Sequence, residues 1–378
     1  MENTEKQRFF YLDNLKILLT IIVIIHHVGQ AYGPTGGFWE FKNSLGEFIP
    51  WLGRFFGMNS AYFMGFFFLI SGYLIPMSYD RNNGYQFLQK RLLKYGLPLL
   101  FVFLIIKPLQ MYFHYSLYTG NIPRSFLQYY INVWFGIHGM PEYFVITDRF
   151  PELNFGHAWF LEHLLVYSMF YYFLRKIFKR SLLTQESKSF SVKHILFIAL
   201  IIAVTSFIVR IWYPIDAWEG VLGFFQVEIA HWPQYLFLFV TGIIAYRKNW
   251  LSTLKTKTGY ASLLIGILMA AAIYIFNWIW HVWAIYESFF AVFIIFGLIT
   301  LFREKANRTT PLLKVLARCS YSAYIFHFPV VLTIQFLFDR VVIGGAIGKF
   351  ITVSLISVVL TYALSFLLVK IKVLSRIL

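Results

Sequence analysis

Two adjacent histidines, His26 and His27, stand inside an apolar run that extends from Asn14 to Ala31. Ionisable side chains inside such a run are costly to insert and are functional candidates by default. A neutral imidazole, with a pKa of about 6.5, can take a proton from a hydroxyl at neutral pH. On a helix the two rings point about 100° apart, so only one faces a given cavity. Lys16 lies eleven residues before His27. At 100° per residue the two return to within about 20° of one face, roughly 16 Å apart along the axis. Lys16, Thr20, Val23 and His27 thus form one stripe, with a cation at one end and an imidazole near mid-membrane. That suits a long, thin ligand with an anionic head and a deeper reactive tip, the shape of coenzyme A. Spacing alone fits equally well with Lys16 resting at lipid headgroups.

Further ionisable residues cluster toward the outer side, near the depth of His27. His157 opens a later apolar run, with Glu162 and His163 one to two turns in. Glu287 follows His281, Arg210 closes another run, and His231 precedes Trp232-Pro233. Each can be an interfacial polar residue, and together they can line a cavity with His27. Glu162 and Glu287 are the deepest carboxylates and the expected orienting partners of an imidazole. His327 is expected in the inner half of its helix, too far in to share this site, where it could line an entry from the cytoplasm. No H-x-x-x-H spacing occurs and Cys319 is the single cysteine, so no metal site is expected. No G-x-S-x-G, P-loop or dinucleotide fingerprint supports a serine hydrolase or a nucleotide-driven pump.

The elements that must carry these groups are membrane helices. Of 378 residues 59% are hydrophobic and 13% charged, whereas soluble domains are nearer 25% charged. So much apolar surface needs lipid as its solvent. Spans are expected near 15–33, 61–79, 95–113, 157–174, 194–213, 259–277, 284–302, 320–338 and 347–369, with a shorter one at 232–246. Twenty-five of the 33 Lys and Arg residues fall in alternate loops and at both ends of the chain. The positive-inside rule then places both termini in the cytoplasm and requires the short sixth span. The net charge of +16 therefore reads as loops facing anionic lipid, not as a nucleic-acid surface. The first run is followed by Tyr32-Gly33-Pro34, not a small-residue cleavage site, and reads as a retained helix. The expected fold is all-α: one polytopic membrane domain over 1–378, about ten transmembrane helices, no appended extracytoplasmic domain. The long segment 114–156 is expected to re-enter the membrane or to lie over it as an ordered lid.

Five motifs, in order, carry a resemblance. They are Arg8-Phe9-Phe10-Tyr11-Leu12-Asp13-Asn14-Leu15-Lys16 with His27 fourteen residues after Asp13; Phe66 to Leu74, containing Ser71-Gly72-Tyr73; Phe87 to Pro98, containing Arg91 and Lys94; His157-Ala158-Trp159-Phe160-Leu161; and Ser320 to His327. In this order the chain resembles the acyltransferase family 3 membrane proteins nearly end to end. It departs from them in having Lys16 and Lys94 where that family usually has arginine, which keeps the charge but loses the bidentate fork.

The resemblance implies transfer of an acyl group, most often acetyl, from cytoplasmic acyl-coenzyme A to a hydroxyl of a carbohydrate, glycolipid or similar acceptor at the cell membrane, as in a bacterial cytoplasmic membrane. Acyl-coenzyme A would be the donor substrate, with no permanently bound cofactor. His27 would be the general base, aided by Glu162 or Glu287. Lys16, Arg91 and Lys94 would hold the donor's phosphates. His157, Trp159, His163 and Arg210 would contact the acceptor. The competing reading from the residues alone is a transporter or exporter of an anionic or sugar-linked substrate.

Overall fold

The computed structural model describes residues 9–34, 39–118, 125–139, 151–178, 189–221 and 225–378. Long apolar stretches with no water to satisfy their backbone can only close their hydrogen bonds internally, as helices. The principal helices are α1 (Phe10–Gly29), α2 (Leu52–Ser60), α3 (Phe63–Asp80), α4 (the helical run Gly84–Tyr118), α5 (Trp159–Ile177), α6 (Val192–Val209), α7 (Trp232–Arg247), α8 (Thr256–Ile275), α9 (Trp283–Lys305), α10 (Pro311–Phe338) and α11 (Gly345–Leu368). Eight helical stretches among the described residues are long and apolar enough to cross a membrane. α5, with Glu162, Arg175 and Lys176, and α7, with 16 residues, are not among these eight.

Several bounds differ from the sequence expectation. α4 begins well before residue 95, because Asn83 caps it by accepting from the Gln86 N–H. Its 35 residues reach about 52 Å, against roughly 30 Å of hydrocarbon, so one end projects beyond the lipid core. Two π-helical turns, Leu92–Gly96 and Val102–Ile106, interrupt it. α10 begins at Pro311, not near 320. Thr310 caps it by accepting from the Leu313 N–H, and proline occupies the first turn, where its missing N–H is harmless. One small hairpin departs from the all-α expectation: β1 (Trp218–Val221) pairs antiparallel with β2 (Phe225–Glu228), Trp218 opposite Glu228.

Within the 114–156 segment, the described part folds against α4. Trp134 is fully buried, its ring 5.6 Å from that of Phe103. The phenols of Tyr115 and Tyr129 both donate to the buried Glu152 carboxylate. The basic residues Lys6, Arg8, Arg124, Arg149, Lys179, Arg180 and Lys188, with Pro123 and Pro141, lie outside the described residues.

α1 packs against α9, α10 and α11. The most extensive helix pair is α3 with α7, and its closeness depends on two glycines. A Cβ on Gly72 would collide with the carbonyl of Phe239, and one on Gly242 with that of Leu69. Gly72 of the Ser71-Gly72-Tyr73 motif is thus a packing residue that lets two backbones meet.

α1 and α10 start at the same end of the bundle. The Asn14 side chain donates to the carbonyls of Ala306 (2.7 Å) and Arg308 (3.0 Å), just before α10 begins. The two helices therefore run parallel. His27 stands seventeen residues into α1 and His327 sixteen into α10, about 26 and 24 Å along their axes. The two histidines reach the same depth.

Candidate active site

The His27 Nδ1 donates to the Val23 carbonyl at 2.9 Å. A carbonyl only accepts, so this bond fixes the proton on Nδ1 and leaves the Nε2 lone pair as the base. The His27 ring lies 4.9 Å from His327, 5.6 Å from Trp39 and 5.5 Å from Phe328, centroid to centroid. His327 thus belongs to the His27 site, and the expectation that it sits too far in is corrected. That expectation took α10 to begin nine residues late, which misplaced the depth of everything on it.

His157 joins from the other side. Its ring is 5.4 Å from His327 and stacks on Phe328 at 4.8 Å. Its Nε2 donates to the Ile325 carbonyl at 2.9 Å. Pro329 lies inside α10 and has no N–H to give the carbonyl four residues earlier, that of Ile325. His157 supplies the missing donor. Tyr324 returns the contact by donating its hydroxyl to the His157 carbonyl at 2.6 Å. The His327 Nδ1 bonds the Tyr324 carbonyl at 2.6 Å. Three motifs far apart in sequence thereby converge on three imidazoles. Among the described residues, the Nε2 of His327 and Nδ1 of His157 are buried with no hydrogen-bond partner. Among those residues no cluster is arranged to hold a metal.

Beside the imidazoles lies an ion pair that the sequence did not point to. The Lys107 Nζ is 2.5 Å from the Glu40 Oε1, both side chains buried. Lys107 follows the second π-turn of α4, and its ammonium stands 5.9 Å from the Phe328 ring centroid. The Glu40 carbonyl accepts from His114 Nδ1 at 2.8 Å. Glu40 is the carboxylate whose charge acts on His27, and Lys107 acts on His157. Trp39, next in chain to Glu40, donates to Gln335 Oε1 (3.0 Å), and the Gln335 Nε2 donates in turn to the Val28 carbonyl (3.0 Å). This chain of bonds ties the loop after α1 to α10.

The carboxylates expected beside His27 face other groups. Glu287 is bonded by Arg210 and lies 3.6 Å from His231 Nε2. His231 Nδ1 is 2.8 Å from Glu228. Glu162 accepts the backbone N–H of Gln226 at 3.4 Å, anchoring β2. The His163 Nδ1 bonds the Trp159 carbonyl at 2.9 Å. Trp159 stacks on Tyr235, which stacks on His231. Arg210, Glu162, His163 and Trp159 thus adjoin a second polar group, separate from the imidazoles.

Lys16, Arg91 and Lys94 do come together. Lys94 feels the charges of Arg91 and Lys16. Its ammonium is 5.2 Å from the Tyr321 ring and 5.8 Å from Tyr95, and the Tyr321 hydroxyl bonds its carbonyl. Arg91 donates to the Tyr95 hydroxyl at 3.0 Å, while its Nε is buried without a partner among the described residues. Lys16 pairs with Asp13 at 2.8 Å. The first π-turn of α4 carries Lys94 and Tyr95, in keeping with the use of such turns at functional sites.

No curated protein and no solved structure matches the chain. A family model described as an acyltransferase domain, of the acyltransferase 3 type, matches residues 9–370. With its histidine motifs gathered at one depth and its basic motif at one end of α1, this membrane protein belongs to the acyltransferase 3 family and is an acyltransferase.

Proposed function

We propose that the protein moves an acyl group, acetyl in the simplest case, from acyl-coenzyme A to a hydroxyl of a membrane-linked or cell-surface carbohydrate. One observation supports this above the others: α1 carries a tautomer-fixed imidazole at His27 and, eleven residues away, joins a cluster of three cations at Lys16, Arg91 and Lys94. The separation of about 16 Å fits a donor whose phosphates stay at one end while its thioester reaches the other.

In the proposed reaction the His27 Nε2 takes the proton as the acceptor oxygen attacks the thioester carbonyl carbon. The tetrahedral intermediate then expels sulfur, breaking the carbon–sulfur bond. The imidazolium returns its proton to the thiolate, giving coenzyme A and the new ester. Glu40 stabilises the transient imidazolium, and its ion pair with Lys107 holds its carboxylate in place. Glu162 and Glu287 hold the second polar group in shape.

The donor cluster is tested by calorimetry with a non-hydrolysable acyl-coenzyme A analogue in detergent free of anionic lipid. Arg91→Ala is expected to weaken binding by roughly 1–3 kcal/mol, the value of a charge-assisted hydrogen bond. The loss shrinks with salt, since partly exposed charges are screened over about 8–10 Å. Lys94→Arg is expected to be neutral or better, because it restores a bidentate donor. Equal dissociation constants for wild type and Arg91→Ala would remove the donor site and leave the cluster as a lipid anchor.

The same reading places ten spans across a plasma membrane, bacterial in character, counting α5 and α7 and leaving both termini in the cytoplasm. The distribution of basic residues supports it. A reporter fused after residue 250 is expected to read as cytoplasmic. An extracytoplasmic signal there would delete α7 as a span and reverse the later helices.

A further inference from the structure

α1 has a second polar face. The His26 ring, 7% exposed, is held by Phe56 and Phe63 at 5.0 and 5.1 Å, and its Nδ1 has no hydrogen-bond partner among the described residues. His26 forms one wall of a cavity of about 370 Å³, whose other walls include Gln30, Asp216, Glu228, His231, Trp280 and Trp283. This volume lies in the range of small-molecule sites.

The two walls differ in chemistry. On one, the Trp280 and Trp283 rings lie 4.5 Å apart. Gly57 of α2 lets Trp280 press against the backbone, since a Cβ there would come within 2.8 Å of the indole. On the other, Glu228 is fixed from two sides: His231 holds Oε2 at 2.8 Å, and the Asp216 N–H donates to Oε1 at 3.0 Å. Asp216 itself is exposed, has a left-handed backbone (φ 66°), and has no cation at ion-pair distance among the described residues.

We propose that this cavity is the acceptor subsite, and that it selects an uncharged polyhydroxyl ring, a neutral sugar, over an acidic one. The proposal rests on the acyl-transfer reading above. Flat indole faces suit the C–H face of a sugar ring. Carboxylates, an imidazole nitrogen and an amide suit its hydroxyls. A carboxylated sugar would bring a like charge to Asp216, whereas the charge of Glu228 is already matched by His231, and that repulsive element at Asp216 gives specificity. The His26 and His27 rings are 5.6 Å apart, so the His26 wall of the cavity adjoins the helix turn that carries the proposed base.

The test uses the full chain in phosphatidylcholine nanodiscs, which avoids sugar-headed detergent. Binding of a methyl hexopyranoside and of the matching methyl hexuronoside is followed by saturation-transfer NMR, and donor-analogue binding is measured on the same samples. Wild type is expected to bind the neutral glycoside about tenfold more tightly, a gap set by like-charge repulsion. Trp280→Ala should weaken the neutral glycoside about fivefold, as expected for losing an aromatic contact of about 1 kcal/mol. Asp216→Asn should close most of the gap between the two glycosides. Both variants should keep donor binding, which shows that they fold. Equal binding of the two glycosides by wild type, or no change in either variant, overturns the proposal. If the donor analogue does not bind and no acyl-coenzyme A is consumed, the acyl-coenzyme A reading fails instead, whatever the glycosides do.

Discussion

Replacing His27 by alanine is expected to lower acyl transfer by about 10²–10⁴-fold, the usual contribution of a general base. Membrane insertion and donor binding should be nearly unchanged. The prediction follows from the bond between Nδ1 and the Val23 carbonyl, which leaves Nε2 as the ring's only acceptor. It follows also from the place of that ring between His327, Trp39 and Phe328. His27→Gln separates the base from a hydrogen-bonding role, because an amide can bond the acceptor hydroxyl but cannot hold its proton. It should be as inactive as His27→Ala. His26→Ala should act differently: its ring faces Phe55, Phe56 and Phe63, so acceptor KM should rise while kcat holds. The readout is release of free coenzyme A in the presence of acceptor. Wild-type turnover by His27→Ala would end the mechanism.

The helices that carry this site are legible in the sequence. Hydropathy located the helices because lipid leaves the backbone few alternatives. Helical spacing chose His27 over His26, and the two rings do face different surroundings. The depth of His327 is not legible from hydropathy, for a physical reason. Its helix starts in a polar stretch that includes Lys314 and Arg318, which a hydropathy window discards, although Thr310-Pro311 is a strong helix start. Counting from that cap puts His327 level with His27.

Glu40 was harder to find. It lies in the loop after α1, where a carboxylate attracts no notice, and only the fold brings it to Lys107, 67 residues away. Lys107 did carry a signal: it is a lysine inside an apolar span, the kind of residue that is costly to insert unless paired. Its partner was the missing piece. Pairwise geometry between loops and helices is also why Glu162 and Glu287 looked like partners of His27. Depth along a helix can be read from sequence, but azimuth around the bundle cannot. The role of Gly72 was hidden for the same reason, since its motif says nothing of the Phe239 carbonyl that presses on it.

The Glu40–Lys107 pair gives the largest stability prediction. Both side chains are buried, and the ammonium sits 2.5 Å from the carboxylate. Lys107→Met keeps most of the side chain's apolar bulk and removes its charge, leaving a buried carboxylate without its cation. Breaking such a pair from one side typically costs about 3–5 kcal/mol. Glu40→Gln strands the lysine instead and should cost a similar amount. The double variant buries no net charge and leaves no ion unpaired, so most of the loss should be recovered, with a coupling above about 3 kcal/mol between the two sites. Thermal unfolding of the four proteins in one detergent gives the cycle. Activity should not follow stability. If Glu40 stabilises the His27 imidazolium, the double variant will be well folded yet slow, because the imidazole has lost its neighbouring anion. A double variant as unstable as the two losses added together would mean that the two residues act separately. One that regained full activity would leave Glu40 a structural role only.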